Sequence, residues 1–170
     1  MSKISIDTAD ITTLNVDCIV NAANNALLGG SGVDGAIHNA AGADLDEYCA
    51  NLNGCTIGCA KITPGFNLKA KYIIHTVGPM YYNYIVKKNA ETILKSCYNK
   101  TLDLAKKNNI HTIAFPAISC GIYQFPIDKA AKIAYNTVRK WILKNKNYNI
   151  HIIFSCIDKN IEAEYRKYVK

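Results

Sequence analysis

The stretch VDCIVNAANNALLGGSGVDGAIH, residues 16–38, decides the fold. It opens on the short apolar run Cys18–Val20, a length that suits a buried strand ending at Asn21. It closes on small-residue helical spacing over Val33–Ala41, stopped by Gly42. Between them lies a loop with Gly29, Gly30 and Gly32 inside four residues. Glycine frees such a loop for positive φ and for close approach to a ligand. The following helix N-terminus adds unpaired N–H groups and a positive dipole end. The segment therefore reads as strand, anion nest, helix. A plain turn capped by Ser31 or Asp34 is the simpler reading. Capping explains one polar residue. It does not explain Asn21, Asn24 and Asn25 before the glycines together with an acid after them.

Outward from this stretch the chain keeps alternating. Lys3–Ile6 is a short alternating run. Leu45–Leu52 reads as a second helix. Gly58–Thr63 reads as extended and ends at the Pro64-Gly65 turn. Tyr72–Val77 (YIIHTV) is a strand bounded by Gly78-Pro79. Ala90, Ile93, Leu94, Cys97, Tyr98, Leu102 and Ala105 keep helical spacing, which predicts an amphipathic helix over about 88–108. Thr112–Phe115 is a strand. Ile127, Ala130, Ala131, Ala134, Val138, Trp141 and Ile142 mark another long helix, Ile150–Phe154 another strand. Ile161, Tyr165, Tyr168 and Val169 mark a C-terminal helix. This alternation predicts an α/β sheet with helices on both faces and its ligand site beyond the carboxyl ends of the strands.

A second loop after a strand, Pro116-Ala117-Ile118-Ser119-Cys120-Gly121-Ile122-Tyr123, also precedes a helix. Its small residues can aim N–H groups at a phosphate, and Tyr123 can cover a sugar. Neither loop is a standard nucleotide signature. There is no G-x-x-x-x-G-K-[ST] and no G-x-G-x-x-G with a following acid. No lysine lies within either glycine loop. A pyrophosphate held by backbone N–H groups fits better than a triphosphate. Each such charge-assisted bond is worth about 1.5–3 kcal/mol, so several are needed.

Composition bounds the rest. At 170 residues, 49% hydrophobic and 19% charged, the chain is expected to form one domain over residues 1–170 with an ample core, which excludes disorder as its main state. No apolar run approaches the roughly 18 residues of a membrane span, and the N-terminus has no secretory pattern. A soluble cytoplasmic protein is expected. The seven cysteines then read as reduced, mostly buried thiols. Cys49, Cys55 and Cys59 lack zinc spacing, so no metal is expected. Cys120 has no base evident in sequence, and His38, one turn after Asp34, reads as a core or supporting group.

The net charge of +7 is uneven: residues 1–86 hold 4 lysines against 7 acids, residues 87–170 hold 16 basic residues against 6 acids. The basic half suits polyanions in general. Its lysines are spread along helices without a binding motif, so no dedicated nucleic-acid interface is expected. No membrane partner is expected either.

At the two loops the sequence resembles the macro domain family, in particular its MacroD-type ADP-ribosyl hydrolase branch. The resemblance covers nearly the whole chain. It runs through Ala9–Thr12, Val16–Asn24, Gly29–His38, Gly58–Gly65, Ile74–Pro79 and Phe115–Tyr123. It implies a three-layer α/β/α sandwich with a mixed central sheet. It implies that Asp10 accepts from the adenine amino group, with Ile11 beside it. The backbone at Ser31, Gly32 and Val33 and at Ser119, Cys120, Gly121, Ile122 and Tyr123 would wrap the pyrophosphate and distal ribose, on which Tyr123 would pack. Asn24 would orient that ribose, and Asp34 would place or activate the attacking water. Ala9, Ser31 and Cys120 stand where the family more often has Gly, Gly and Thr. The implied activity is hydrolysis of ADP-ribose esters, either mono-ADP-ribose on protein carboxylates or O-acetyl-ADP-ribose. No cofactor is implied. A non-catalytic reader of ADP-ribose or ADP-ribosylated protein is the alternative; Asn24 together with Asp34 favours the enzyme.

Overall fold

In a computed structural model describing residues 1–170, six strands form one sheet: β1 (Lys3–Asp7), β2 (Cys18–Ala22), β3 (Ala60–Pro64), β4 (Tyr72–Thr76), β5 (Thr112–Phe115) and β6 (His151–Ser155). Their order across the sheet is β1-β6-β5-β2-β4-β3. All neighbours run parallel except β3, which lies antiparallel on the β4 edge. The central strands are buried on both faces, as a sheet covered twice requires.

The helices divide between the faces. On one face lie α1 (Gly32–Ala41), α2 (Ala43–Ala50) and a 3-10 turn, Ile11–Thr13, with Ile11, Ile37, Leu45 and Ile73 in their core. On the other lie α4 (Ala90–Lys107), α5 (Ile127–Lys144) and α6 (Lys159–Arg166), with Leu94, Tyr98, Phe115, Val138 and Tyr165 beneath them. A four-residue helix, α3 (Tyr84–Lys87), precedes α4. The architecture is the three-layer sandwich with a mixed sheet that the family resemblance implied.

The chain leaves β2 toward β4 through α1 and α2 on one face. It leaves β5 toward β6 through α5 on the other. The strand order therefore reverses between β2 and β5, the position where open α/β sheets bind ligands. Two contacts shape that position. At the amino ends, Asp17 Oδ2 accepts from the His111 and Thr112 N–H groups, both at 2.9 Å, and Thr112 Oγ1 accepts from Asp17 N. Pairing of β2 with β5 then covers only Cys18↔Ile113 and Ile19↔Ala114. The carboxyl ends of the two strands part and open a cleft.

Element boundaries differ from the sequence expectations where pairing or packing decides them. The strand expected to end at Asn21 continues to Ala22, because Asn21 pairs with His75 and Ala22 with Thr76 of β4. The extended segment starts at Ala60 rather than Gly58, and the second helix ends at Ala50 rather than Leu52. The 3-10 turn and α3 carry no periodicity long enough to read.

Phe115 sits on β5 between the Tyr98 ring at 5.1 Å and the Phe154 ring at 6.4 Å, fully buried. Phe115→Ala leaves a cavity at that junction, so urea unfolding should show a loss of about 3–5 kcal/mol. A loss below about 1 kcal/mol would show that the aromatic stack closes over the gap.

Candidate functional site

The cleft at the switch point has a volume of about 210 Å³. Both sequence-predicted loops line it. From the first come Asn24, Gly30, Ser31, Gly32, Val33 and Asp34; from the second, Ala117, Ser119, Gly121, Ile122 and Tyr123. Ala22, Ala23 and Gly78 complete the wall. Three expected site residues lie outside it. Asp10 caps the 3-10 turn, its Oδ1 accepting from Thr12 N at 2.9 Å and Thr12 Oγ1 at 2.8 Å. Ile11 is buried beneath that turn. The Cys120 thiol points back at the Ile118 carbonyl, 3.6 Å away. Burial pushes that thiol up to about 12, the opposite of what a nucleophile needs.

The first loop is built around Asp34, in the first turn of α1. Ser31 occupies the N-cap position without a side-chain cap bond, so capping does not account for it. Asp34 does not cap either. Its Oδ1 accepts a hydrogen bond from Asn21 Nδ2 at 2.8 Å. Asp34 is only 6% exposed, and burial pushes its carboxyl above the usual carboxylate range against the pull of the Asn21 bond. Gly30 crosses directly over it. A Cβ there would stand 3.1 Å from Asp34 Oδ2 and 3.7 Å from Asn24 Nδ2. Asn24 Nδ2 in turn donates to the Gly29 carbonyl at 3.0 Å. Asn24 and Asp34 are thus brought under one glycine, facing the same space. The Asn24 Oδ1 atom is buried without a protein partner.

Behind Asp34 runs a buried polar chain that sequence reasoning did not assemble. Asn21 Nδ2 has two hydrogens. One goes to Asp34; the other meets His75 Nδ1 at 3.1 Å. His75 then carries its proton on Nε2 and donates to Thr63 Oγ1 at 3.0 Å, and Thr63 donates to the Pro64 carbonyl. Burial drives the His75 pKa down to about 3, with His38 adding to it, so the ring stays neutral. His38 stands between two carboxylates. Its Nδ1 is 2.6 Å from Asp46 Oδ1 and its Nε2 is 3.4 Å from Asp34 Oδ1. The one sequence signal for this chain was a polar residue inside each of two otherwise apolar strands, Asn21 and His75.

His38, Cys49 and His75 also place potential ligand atoms within 4.8 Å of one another. Both His75 nitrogens already have partners. Burial, with Asp46 and Asp34 nearby, holds the Cys49 thiol up at about 11. The neutral His75 ring and the protonated Cys49 thiol pack beside His38, behind Asp34.

The second loop carries strain. Ser119 has φ +65°, left-handed for a residue with a side chain, and its hydroxyl is buried without a partner. Gly78, just past β4, lies against it; any Cβ at Gly78 would collide with the Ser119 side chain. The loop is closed by Phe125 N donating to Ser119 O at 2.9 Å. Gly121 faces open space.

A larger groove of about 510 Å³ lies between α4 and α5, lined by Lys95, Lys129, Lys132, Lys140 and Lys144 with Glu91 as its only acid. Its lysines are the exposed helix faces that the sequence indicated. It has no glycine loop and no buried titratable pair. No helix is long and apolar enough to cross a membrane.

The family profile described as Macro domain matches residues 20–134. The chain is 52% identical over 168 residues to the ADP-ribose glycohydrolase MACROD2 of Homo sapiens, covering 99% of this chain and 39% of that protein. It thus spans about two fifths of that relative's length. A Trypanosoma brucei macrodomain solved in complex with ADP-ribose superposes with a TM-score of 0.91 at 38% identity, covering 98% of this chain and 69% of that one. An Oceanobacillus iheyensis macrodomain with ADP gives 0.89 at 37% identity, covering 96% and 87%. With the profile spanning both cleft loops, the fold and the relatives agree: the chain belongs to the macro domain family.

Proposed function

We propose that residues 1–170 act as one macro domain that binds ADP-ribose and hydrolyses its esters, releasing ADP-ribose from mono-ADP-ribosylated protein carboxylates or acetate from O-acetyl-ADP-ribose. The observation that carries this reading is Asp34: a buried carboxylate beside Asn24 at the mouth of two glycine loops. A carboxylate there repels phosphate, a cost that a catalytic role offsets. The fold's solved relatives with ADP and ADP-ribose supply the ligand class. The name of the human relative supplies the reaction class.

The chemistry follows from the geometry. The pyrophosphate lies against the N–H groups of Ser31–Val33 and Ser119–Tyr123, with the α1 N-terminus adding its dipole. Asp10 takes the adenine amino group through the carboxylate oxygen that Thr12 leaves free. Asn24 holds the distal ribose, and Tyr123 packs on it. A water beside Asp34 attacks the ester linkage and gives its proton to the carboxylate. The water's oxygen bonds to the attacked carbon as the ester C–O bond breaks, and Asp34 passes the proton on to the leaving oxygen, so the products are ADP-ribose and the free acid. Burial raises the basicity of Asp34, which suits a general base working near neutral pH. His38 and Asn21 keep it oriented.

The direct test is to incubate the purified protein with a carboxylate-linked mono-ADP-ribosylated protein and with O-acetyl-ADP-ribose, and to follow release of ADP-ribose and of acetate. Turnover of at least one is expected. Good ADP-ribose binding with no turnover of either ester would leave a reader.

Asp34→Ala should slow hydrolysis by roughly 10²–10⁴, the range of a lost general base, while calorimetry shows ADP-ribose affinity changing less than about tenfold. Parental turnover in that variant would remove Asp34 from the chemistry.

The same carboxylate has an opposite effect on stability. Its folded pKa is raised, so its contribution is favourable below the unfolded value and is lost as pH rises through the folded one. Asp34→Asn should therefore melt higher than the parent at pH 8, with the gap closing as pH falls into the carboxylate range near about 4. Equal melting curves at pH 8 would show that burial imposes no cost on this group.

Gly121→Glu should abolish ADP-ribose binding with an unchanged circular dichroism spectrum, because the position is open, lines the cleft, and would set a carboxylate against the proposed pyrophosphate. A parental dissociation constant would take this loop out of the site.

A further inference from the structure

One wall of the cleft continues onto an exposed surface that the chemistry above does not use. Residues 80–88 follow β4 and are tied to the second loop. Tyr81 N donates to Tyr123 O at 2.8 Å, the Tyr81 ring lies 4.8 Å from buried Phe125, and the Tyr82 ring meets Tyr123 edge-on at 6.5 Å. Asn83 caps α3 by accepting from Ile85 N at 3.0 Å and Val86 N at 3.2 Å. The inward side of the segment is thus fully committed. Its outward side is not. Tyr82 is 58% exposed, Tyr84 74%, Ile85 79% and, on the adjoining loop, Ile122 71%. These are four of the ten large apolar side chains that the whole surface exposes. Scattered single exposures are ordinary; a cluster rich in aromatic residues beside a cleft has the composition of an interface core.

Two features say what covers it. The patch is continuous with the cleft, since Ile122 and Tyr123 belong to both. Tyr123 lines the cleft together with Asp34 and meets the Tyr82 ring on its other side, so the patch begins at the rim of the site proposed for the ester. A small acyl group ends inside the cleft. A polypeptide bonded through a side-chain carboxylate must leave past this rim. The second feature is charge. Lys87 lies over the Tyr81 ring at 4.9 Å and Lys88 over the Tyr84 ring at 5.0 Å, and neither has an acidic partner. Cations held on aromatic faces suit a segment rich in carboxylates.

We infer that Tyr82, Tyr84, Ile85 and Ile122, with Lys87 and Lys88, form a docking surface for the acidic polypeptide that flanks an ADP-ribosylated carboxylate side chain. This inference rests on the ADP-ribose reading of the cleft and selects protein-linked over small-molecule esters as its better substrates.

The test uses two double variants outside the cleft, Tyr84→Ser with Ile85→Ser and Lys87→Glu with Lys88→Glu. Each is assayed on a carboxylate-linked mono-ADP-ribosylated protein and on O-acetyl-ADP-ribose. On the protein substrate kcat/KM should fall about tenfold through KM, the size of a lost hot spot, with kcat retained. On O-acetyl-ADP-ribose, and in ADP-ribose affinity, both variants should match the parent. Equal losses on both substrates would make the segment part of the cleft, and no loss on either would leave the patch without a role; each result overturns the proposal. Binding separates the two readings. The parent should hold a modified protein more tightly than free ADP-ribose, the variants should lose that margin, and salt should narrow it. This holds even if the parent turns over neither ester. A parent that binds both equally overturns the docking surface while leaving the hydrolase reading intact.

Discussion

The hydrogen bond from Asn21 Nδ2 to Asp34 Oδ1, 2.8 Å long and buried, is the contact on which the rest of the site depends. It joins the last turn of strand geometry in β2 to the first turn of α1, and so fixes how the glycine loop between them must run. An acid in that position is held by burial in a state it resists and by one amide in an orientation it needs. The amide is itself fixed. Asn21 reaches Asp34 because its second hydrogen is taken by His75, and His75 is neutral because burial holds its pKa near 3. A charged His75 would have no lone pair at Nδ1 for that hydrogen. The neutrality of one ring inside β4 thus sets the geometry of a carboxylate two elements away.

Electrostatics alone would argue against this arrangement. A carboxylate near a pyrophosphate costs binding energy, more so at reduced dielectric. The protein offsets the cost with backbone. The α1 N-terminus has unpaired N–H groups, and Gly29 and Gly32, with φ of 78° and 60°, give the loop the left-handed turns that a backbone anion nest uses. Neither loop carries a lysine or arginine, so in the proposed complex the anion would be held by backbone dipoles, which cannot move toward Asp34 and neutralise it. A mobile cation would strengthen binding and weaken the base.

Much of this was legible in the sequence, for reasons that can be named. The glycine loop, Asn24 and Asp34 lie within eleven consecutive residues, so local spacing alone puts them in one loop after a strand. The Ser119–Tyr123 loop was legible for the same reason. Asn21 was visible as a polar residue but was placed at a strand end. Its true position inside β2 depends on pairing with His75, 54 residues away, which no local pattern encodes. Asp46 reads as an ordinary exposed acid of α2; its 2.6 Å contact with His38 exists only because α2 folds back over α1. Lys95 of α4 and Lys129, Lys132, Lys140 and Lys144 of α5 read as solvated faces in sequence, and the helices bring them along one groove without ion-pair partners. Residues 80–88 gave no signal, since a four-residue helix is shorter than any reliable period.

The cleft itself is a consequence of incomplete pairing. Parallel strands whose crossovers leave in opposite directions cannot both be covered at their carboxyl ends, because the helices that would cover them diverge. Here β2 and β5 share two residue pairs and then separate, while β2 goes on pairing with β4 through Ala22. The gap this leaves is bounded on the β4 side by Gly78, where only hydrogen fits against Ser119. Ser119 in turn holds a left-handed φ that a free loop would relax. The loop is held by the sheet: Gly78, just past β4, leaves the Ser119 side chain the room that any Cβ would take, and the Phe125-to-Ser119 bond closes the turn. The Ser119–Tyr123 loop is therefore set by the same strand, β4, that carries His75 and so sets Asp34. One strand fixes both halves of the cleft, one through a ring nitrogen and one through a missing side chain, which keeps the proposed anion nest and the proposed base in register with each other.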